Sequence, residues 1–539
     1  MPYTPSRRRR AAAAVGVTTV AALLLAACSA TPAPESPGAS DPTKPLIISL
    51  DSSVDLLDPQ SWRTPGAMVA TGSLVEQLIE QSYTEKGIVR TGTGEFEPAL
   101  AESWTYSDDR KTLTFTLRSG LKFGDGSDLT AHDVVWSLQR SMEGPGYVKT
   151  FLPMANVMTS AAFRAVDDLT FEIVTEHANP LLDNLLAMQP LGILSKKSGE
   201  EHGTADDPWA GKWFHDNENS SGPYIVDSYD PNVSLVFKPN PNYYDKSKIR
   251  NGGVTIQFVS DPSQRALLLR SGEIDVAQGI PLDQVKQMSK EAGLKVVSEP
   301  SNRLEYLGLN TSLAPFNNAK VRQAIGFAMP FQDLQDQVMY GYADIATTHL
   351  PKGVPTWTDA GGKLEENLDK ARALLKEAGV SDFSSTLYFK QSSGVEQRAA
   401  VFIQGNLQKI GITVEIRGIP DAEFTQRTRA HELPMYLNNF LGWGADPFYH
   451  LFSLSAAKAG TNFTSYDNPA FDALMMSGFR SGDAAERAKI SAEGQKMLFE
   501  EMPYIPLYNA KWTFVVRDGV SGMTKDNTEQ LRLQYLTKH

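Results

Sequence analysis

The chain contains 539 residues, too many for one ordinary hydrophobic core, so more than one lobe is expected. Its 63 acidic residues outnumber its 51 basic residues and give a formal net charge of −12. This balance argues against a nucleic-acid partner, whose phosphates require clustered Lys and Arg. The single cysteine excludes a disulfide within the chain.

The N-terminal segment has the pattern of an export signal. A basic cluster, Arg7–Arg10, precedes small and apolar residues that continue to Cys28. A positive region, a short apolar region and small residues in this order are typical of a secretory signal peptide. The apolar run is shorter than the about 20 residues that a bilayer-spanning helix needs. We therefore predict a signal peptide over residues 1–27.

The residues directly after the apolar run predict an anchor and a linker. Leu25–Cys28 resembles the lipobox of bacterial lipoproteins, in which the cysteine is acylated and becomes the mature N-terminus. The alternative is an ordinary signal peptide followed by an incidental cysteine. Residues 28–44 are rich in Ser, Pro and Ala, so they predict a flexible tether with almost nothing to bury.

The remaining chain mixes strand and helix patterns. Residues 46–50 read as a buried strand, and period-2 alternation predicts half-buried strands at Leu113–Leu117, Leu169–Ile173, Val254–Phe258 and Ile412–Ile416. Thr130 and Asp133 resemble a capping box at the start of a helix. Apolar residues at helical spacing predict further helices at Val321–Ala328, capped by Asn317 or Asn318, and at Leu368–Ala378, ended by Gly379. The predicted class is α/β or α+β in more than one lobe.

The sequence carries no convincing catalytic or metal-binding signature. It has no G-x-S-x-G elbow, no phosphate-binding loop of the G-x-x-x-x-G-K-[ST] type and no H-E-x-x-H helix. No two of its eight histidines lie within five residues of each other, so no local histidine pair is available for a metal. We therefore predict a protein that is not an enzyme and that uses neither a metal nor another cofactor.

Twelve short segments, taken in order along the chain, carry a family resemblance. They are Pro98–Trp104, Leu113–Arg118, Leu121–Gly126, Leu129–Ser137, Ser221–Tyr224, Asn240–Tyr244, Ser271–Asp275, Pro315–Phe316, Val321–Ile325, Ala371–Gly379, Gly442–Pro447 and Pro503–Pro506. In this order and spacing they resemble the extracellular solute-binding proteins of family 5, the large peptide, opine and nickel group that serves ABC importers. The lipobox agrees with this resemblance, because Gram-positive binding proteins have no periplasm to hold them and need an anchor.

The resemblance implies a two-lobed α/β fold of the periplasmic-binding-protein type (type II, cluster C) with an extra inserted domain and a hinge. Lobe 1, or domain I, would combine residues 45–90, 220–300 and 510–539. The inserted domain II would cover residues 91–219, and lobe 2, or domain III, residues 301–509. The chain would cross between the lobes near residues 300 and 510, and the ligand would lie between the lobes in a cleft that closes.

The resemblance also implies ligand-binding residues in the segment that contains Trp443, Gly444 and Asp446. In peptide-binding members, an aspartate in the matching G-W-x-x-D stretch pairs with the α-ammonium group of the peptide. Asp446 occupies that position, and the alternative is that Asp446 only caps the turn into Pro447. Trp443 either stacks on the ligand or fills the core of the lobe.

Further residues are expected to border the pocket. Tyr306 precedes a segment, Leu307–Asn310, that resembles the strand leading from the hinge to the cleft, so Tyr306 or Arg303 is expected to border the pocket. An arginine there suits a ligand carboxylate, and the alternative is that Arg303 lies on the surface. Tyr436, Asn438 and Asn439 precede Trp443 and combine apolar surface with hydrogen-bonding groups. No histidine lies in the Trp443 segment, which argues against nickel as the cargo.

The resulting hypothesis is a monomeric receptor, anchored by lipid to the outer face of the cell membrane, that captures an oligopeptide-like ligand for an ABC importer. Its partners would be the ligand and the permease and ATPase subunits, since this chain has no phosphate loop of its own. One alternative keeps the fold but changes the ligand to an oligosaccharide or another neutral metabolite. The other is an exported hydrolase, which would require turnover.

Overall fold

The computed structural model describes residues 43–50, 52–61, 64–146, 148–177, 180–231, 233–442, 444, 446–526 and 528–539. The predicted signal peptide, Cys28 and the tether up to residue 42 lie outside the described residues, as does Trp443. Across the described ranges, no helix is both long enough and apolar enough to cross a membrane.

Strands occur throughout the described part of the chain. They are β1 (Leu46–Ser49), β2 (Ile79–Lys86), β3 (Val89–Pro98), β4 (Ala101–Tyr106), β5 (Thr112–Leu117), β6 (Phe163–Ala165), β7 (Thr170–Val174), β8 (Tyr224–Asp230), β9 (Ser234–Pro239), β10 (Val254–Gln257), β11 (Val276–Gln278), β12 (Leu294–Glu299), β13 (Arg303–Leu309), β14 (Ala343–Ile345), β15 (Phe383–Lys390), β16 (Ile412–Ile419), β17 (Met435–Leu441), β18 (Tyr504–Ala510), β19 (Trp512–Arg517), β20 (Val520–Ser521), β21 (Met523–Lys525) and β22 (Thr537–Lys538).

Helices lie between these strands along the described part of the chain. They are α1 (Pro65–Gly72), α2 (Ala131–Glu143), α3 (Phe151–Met154), α4 (Leu181–Leu186), α5 (Lys196–His202), α6 (Gly211–Asp216), α7 (Pro262–Ser271), α8 (Leu282–Met288), α9 (Ala319–Phe327), α10 (Phe331–Asp333), α11 (Leu368–Glu377), α12 (Gly394–Gln408), α13 (Asp421–Arg429), α14 (Pro447–Ser455), α15 (Pro469–Arg480) and α16 (Ala484–Glu501). A π-helical turn continues α10, and short 3₁₀ turns occur at Val148–Thr150, Ser160–Ala162, Gln189–Leu191, Lys246–Lys248 and Leu533–Tyr535.

Lobe 1 is built around a sheet that, in the described part of the chain, has seven strands in the order β12-β19-β11-β1-β10-β9-β8. The central strand β1 pairs in parallel with β10 and β11, so the carboxyl ends of these three strands meet at one edge of the sheet. Ile48, Ile256 and Val276 are fully buried at the centre of the sheet. Ligands of α/β proteins commonly bind outside such a carboxyl edge.

Lobe 1 also carries what we call the four-stranded region, which consists of the sheet β4-β5-β7-β6 and helices α2 to α6. The predicted alternation in β5 is confirmed, because Leu113, Phe115 and Leu117 are buried. In β7 it is confirmed for Phe171 and Ile173, which are buried, but wrong for Leu169, which lies outside the strand and is 37% exposed. The capping box of α2 is also confirmed, because the Thr130 backbone N–H donates to Asp133 Oδ2 (2.9 Å).

A buried ion pair fixes the four-stranded region to the rest of lobe 1. Arg140 on α2 donates from Nη1 to Asp58 Oδ1 (3.1 Å) and from Nη2 to Asp58 Oδ2 (2.7 Å), and neither side chain is appreciably exposed. The planar guanidinium matches the two carboxylate oxygens, so this contact fixes orientation as well as distance.

Lobe 2 is built around a second sheet with the order β14-β18-β13-β17-β15-β16 among the described residues. The central strand β13 is antiparallel to β17 and β18, and Glu305 is opposite Asn439 on one side and Tyr508 on the other. Helices α9 to α12 supply buried residues to a core on the sheet, among them Ile325, Leu375 and Ile403.

The chain passes between the two sheets at two places. Residues 300–302 connect β12 of lobe 1 to β13 of lobe 2, and Lys511 connects β18 of lobe 2 to β19 of lobe 1. Glu529 supports the first crossing, because its carboxylate accepts hydrogen bonds from Ser301 Oγ and the Asn302 backbone N–H (both 2.8 Å). Two neighbouring crossings are the connectivity of a hinged pair of lobes.

Candidate ligand-binding cleft

Among the described residues, two cavities lie between the lobes, beside the chain crossings. The larger cavity has a volume of about 550 Å³. Pro262 and Gly279–Leu282 of lobe 1 line it, and these residues follow the carboxyl ends of β10 and β11. Lobe 2 contributes the opposite wall, which includes Glu305, Met339, Ser393–Glu396, Arg398, Asn439, Tyr508 and Ala510, while Lys511 belongs to the crossing itself.

The smaller cavity has a volume of about 230 Å³ and shares Gly279 and Lys511 with the larger one. Arg303 and Leu441 of lobe 2 face Trp512 and its neighbours in lobe 1 across this cavity. Two larger surface grooves, of about 680 and 750 Å³, are lined by lobe 1 alone, so closure of the lobes does not enclose them. A ligand held by both lobes therefore fits the two interlobe cavities and not these grooves.

Arg303 and Asn439, both expected to border the pocket, lie together at the cleft. Arg303 Nη1 donates to Asn439 Oδ1 (3.2 Å), and the two residues lie on the neighbouring strands β13 and β17. Arg303 lines the smaller cavity and Asn439 the larger one. A half-buried guanidinium with several donors suits a ligand carboxylate or carbonyl.

Asn438 faces a different environment from Asn439, because successive residues of a strand point to opposite faces. Its Oδ1 accepts a hydrogen bond from Lys390 Nζ (3.2 Å), and the Lys390 ammonium also lies 5.2 Å from the ring centre of Phe424. Asn438 does not belong to the residues that line the two described cavities. Its contact with a ligand stays a prediction.

Tyr306 and Tyr436 lie in an aromatic core on one face of the lobe 2 sheet. Both are almost completely buried, and the Tyr306 ring is 6.4 Å from the Tyr436 ring and 5.3 Å from the Tyr504 ring. Burial raises the pKa of Tyr306 and that of Tyr436 above the ordinary value for a tyrosine. These side chains support the sheet that carries the cleft, and neither lines the two described cavities.

Glu305 lines the larger cavity and was not identified from the sequence. It alternates with the buried Leu304 and Tyr306, so the period-2 pattern of β13 contained the signal that it points away from the aromatic core. Burial raises the pKa of the Glu305 carboxyl to about 7, Arg303 and Lys390 lower it, and Glu396 raises it further. A carboxyl that titrates near neutrality in a cavity is a candidate functional group.

Comparison with known proteins identifies the family. The model for bacterial extracellular solute-binding proteins, family 5 Middle, matches residues 95–463, which is more than half of the chain. The chain belongs to this family.

Two named solute-binding proteins are similar to this chain over most of its length. The glutathione-binding protein GsiB of Salmonella paratyphi A is 26% identical over 498 residues, which cover 90% of this chain and 91% of that protein. The "Probable D,D-dipeptide-binding periplasmic protein DdpA" of Escherichia coli strain K12 is 27% identical over 490 residues, which cover 90% and 92%.

Solved structures support the fold. The periplasmic binding protein DppA from Helicobacter pylori, in complex with the peptide STSA, matches with a TM-score of 0.79 at 26% identity, covering 92% of this chain and 98% of that one. CtaP from Listeria monocytogenes matches with a TM-score of 0.80 at 22% identity, covering 92% and 100%. The α/β, two-lobed binding-protein fold is therefore confirmed.

Asp446 of this solute-binding protein has partners for both of its carboxylate oxygens. It is the N-cap of α14, where Oδ1 accepts hydrogen bonds from the backbone N–H groups of Phe448 (2.8 Å) and Tyr449 (3.3 Å). Oδ2 pairs with the Arg487 guanidinium of α16, and Asp446 is 4% exposed. Burial raises the pKa of the Asp446 carboxyl, and Arg487 opposes that rise. This arrangement favours the capping alternative, while contact with a ligand ammonium stays a prediction.

Gly444 lies where lobe 2 meets the four-stranded region of lobe 1. Its backbone has a φ of +89°, and a Cβ at this position would lie 3.6 Å from Cβ of Asn184 on α4. In a second contact between these parts, Asn156 Nδ2 donates to the Phe479 carbonyl on α15 of lobe 2 (3.2 Å). One continuous apolar cluster includes residues of both the four-stranded region and α14 to α16. The two lobes are thus in contact beyond the hinge.

Proposed function

We propose that this protein is the extracellular receptor of an ABC importer and that it captures a short peptide between its two lobes. The observation that carries the proposal is a pair of cavities whose walls come from both lobes, in a chain that belongs to a solute-binding family. The names of GsiB and DdpA, and the peptide bound to DppA from Helicobacter pylori, support a peptide-like ligand.

Binding would use closure of the lobes. The two chain crossings at residues 300–302 and Lys511 allow the lobes to rotate about one axis, and ligand that contacts both walls shifts the population towards the closed form. Closure removes water from the cavity, so hydrogen bonds from Arg303 and Asn439 to the ligand become stronger than they are in solvent. The ligand would leave chemically unchanged, because transport requires release and not reaction.

The proposal includes a location. Cys28 would carry a lipid, and residues 28–44 would place the folded body away from the outer face of the cell membrane. The folded body would then present the captured solute to permease and ATPase subunits supplied by other chains.

The function is tested by measuring binding and ligand integrity together. We expect di- to pentapeptides to raise the melting temperature of the purified protein in a concentration-dependent way, because a ligand that binds the folded state stabilises it. Mass spectrometry should recover the peptides uncleaved and should show a lipid on Cys28. Cleaved peptides would instead support the hydrolase alternative, and an unmodified Cys28 would contradict the anchor.

A neutral ligand is the second candidate, and one observation favours it. Both oxygens of Asp446 already have partners inside lobe 2, so the carboxylate expected to hold a peptide ammonium is not free. The same melting experiment with oligosaccharides distinguishes the candidates. Stabilisation by oligosaccharides without stabilisation by any peptide would replace the peptide proposal with this one.

A further inference from the structure

We propose that Glu305 binds a positively charged group of the ligand, either a basic side chain or the α-ammonium group, and thereby favours ligands that carry this group. The inference rests on the proposed peptide-binding function and adds a residue that sets specificity. Three features of the structure carry it: the position of the carboxylate, the partners of its charged neighbours and the nature of the facing wall.

Glu305 is placed in the wall of the cleft by the central strand of lobe 2. On β13 it pairs with Asn439 of β17 and Tyr508 of β18, and all three residues line the larger cavity. Its side chain is half-buried. Within the described residues, its carboxylate forms neither a hydrogen bond nor a direct ion pair, so its acceptor capacity is unused in this structure.

The cations around Glu305 mostly have other acceptors. Arg303 donates to Asn439 Oδ1 (3.2 Å), and Lys511 pairs with Asp344 (3.5 Å) on β14. Arg398, on α12, lines the same cavity but is exposed to solvent. Of these three groups, Arg303 reduces the cost of a negative charge at Glu305, and it does so without pairing with it.

The remaining titratable neighbours are Lys390, Glu396 and Tyr508. Lys390 Nζ lies 3.8 Å from Glu396 Oε1 and donates to Asn438, while Glu396 Oε2 accepts the Lys390 backbone N–H (2.9 Å). Tyr508 is buried, and burial together with Glu305 and Glu396 raises its pKa well above its ordinary value, so it stays neutral. Glu396 therefore already has a cationic neighbour, Lys390, whereas Glu305 has no direct partner among the described residues. A partner for the Glu305 carboxylate would have to come from the ligand.

The facing wall explains why that partner would be the ligand. On the lobe 1 side, the larger cavity is lined by Pro262, Gly279, Ile280, Pro281 and Leu282, and none of these side chains carries a charge. Closure therefore brings no cation from this wall to Glu305. A half-buried carboxylate without a partner is costly, and an ammonium or guanidinium group on the ligand offsets that cost.

The pH dependence of binding follows from the same geometry. With a pKa of about 7 in the free protein, Glu305 is mostly protonated below that value and mostly ionised above it. A ligand cation pairs only with the ionised form, so binding through a basic side chain strengthens as the pH rises through about 7 and then levels off. Binding through an α-ammonium group strengthens in the same range but falls again above about pH 8, where that group loses its proton. At lower pH, binding must first remove the proton, and the affinity falls by up to about tenfold per pH unit.

The test compares the wild-type protein with Glu305→Gln by isothermal titration calorimetry at pH 8. The probes are Ala-Lys, Ala-Lys-Ala and Ala-Lys-Ala-Ala, each also with its lysine Nε acetylated and, separately, with its N-terminus acetylated. We expect Glu305→Gln to bind at least one unmodified probe about tenfold more weakly than the wild type. One of the two acetylations should abolish this difference and so identify the cation as the side chain or the α-ammonium group.

Two controls make the result specific. Glu415→Gln changes an exposed glutamate on β16, which pairs with Arg417 (2.7 Å), and it should bind all probes as the wild type does. At pH 5.5 the wild-type protein and Glu305→Gln should bind within about twofold of each other, because Glu305 is then protonated. Far-ultraviolet circular dichroism of each variant confirms folding.

The results that would contradict the role of Glu305 differ from the result that would contradict the peptide function. Probes that bind the wild type and Glu305→Gln equally at pH 8, or a difference that survives both acetylations, would overturn the role of Glu305 and leave the peptide function standing. If none of the probes binds either protein, the proposed peptide function fails and the inference that depends on it fails too.

Discussion

Because Asp446 pairs with Arg487 inside lobe 2, we predict that replacing Asp446 lowers the stability of the folded protein. Replacing Asp446 with Ala removes two interactions: the buried ion pair to Arg487 and the N-cap of α14. Replacing it with Asn removes only the charge, because Asn caps a helix about as well as Asp. The two variants therefore separate the contribution of the ion pair from that of the cap.

The magnitudes follow from the burial of both partners. The side chains of Arg487 and Asp446 are 9% and 4% exposed, and leaving one partner of such a pair buried alone costs about 3–5 kcal/mol. Loss of the cap adds about 1 kcal/mol. Unfolding entropy for a chain of this length is about 1 kcal/mol per kelvin, so Asp446→Asn should melt about 3–5 °C lower and Asp446→Ala about 4–6 °C lower.

The assay is differential scanning calorimetry at pH 7.5, with peptide binding measured below the transition for free and N-acetylated peptides. We expect both variants to lose stability in the stated order and to weaken binding of the two peptide forms by the same factor. An unchanged melting temperature, together with a loss confined to peptides with a free N-terminus, would refute the capping interpretation. Asp446 would then be the ammonium-binding residue that the G-W-x-x-D resemblance implies.

Two further predictions concern the cleft. Because the folded-state pKa of Glu305 is raised from 4.5 to about 7, its contribution to stability is complete below about pH 4.5 and is lost as the pH rises through about 7. Urea denaturation should show Glu305→Gln about 1–3 kcal/mol more stable than the wild type at pH 8 and equal to it near pH 4.5, and parallel pH profiles would contradict this. Asn156→Gly keeps the positive φ of 65° but removes the hydrogen bond to the Phe479 carbonyl across the lobes. Stopped-flow kinetics should show about fivefold faster dissociation of every ligand, corresponding to about 1 kcal/mol, whereas an effect on only one ligand would place Asn156 in the binding site.

Local patterns in the sequence predicted much of the secondary structure. The alternation at Leu113–Leu117 became the buried face of β5, and the Thr130–Asp133 box opens α2. Asn318, one of the two proposed caps, accepts the Lys320 backbone N–H at the start of α9. Such signals work because capping and strand alternation depend on residues only a few positions apart.

The site was less predictable, because its chemistry depends on distant partners. Arg303 of β13 and Asn439 of β17, which were expected to border the pocket, line the two described cavities, while their contact with a ligand stays a prediction. Tyr306 and Tyr436 share those two strands but face the aromatic core. The resemblance identified the strands, and only the packing on each face decided which side chains reach the cleft.

By itself, the sequence determined the family, the mixed α/β class and an expected export signal, because each depends on residue order and local periodicity. Tertiary structure decided the state of the carboxylates. Asp446 acquires its partner from Arg487, 41 residues away, while Glu305 acquires a cavity from strands and loops of both lobes. The charge and pKa of a buried acid are set by what folding brings within a few ångströms, and no local pattern encodes those neighbours.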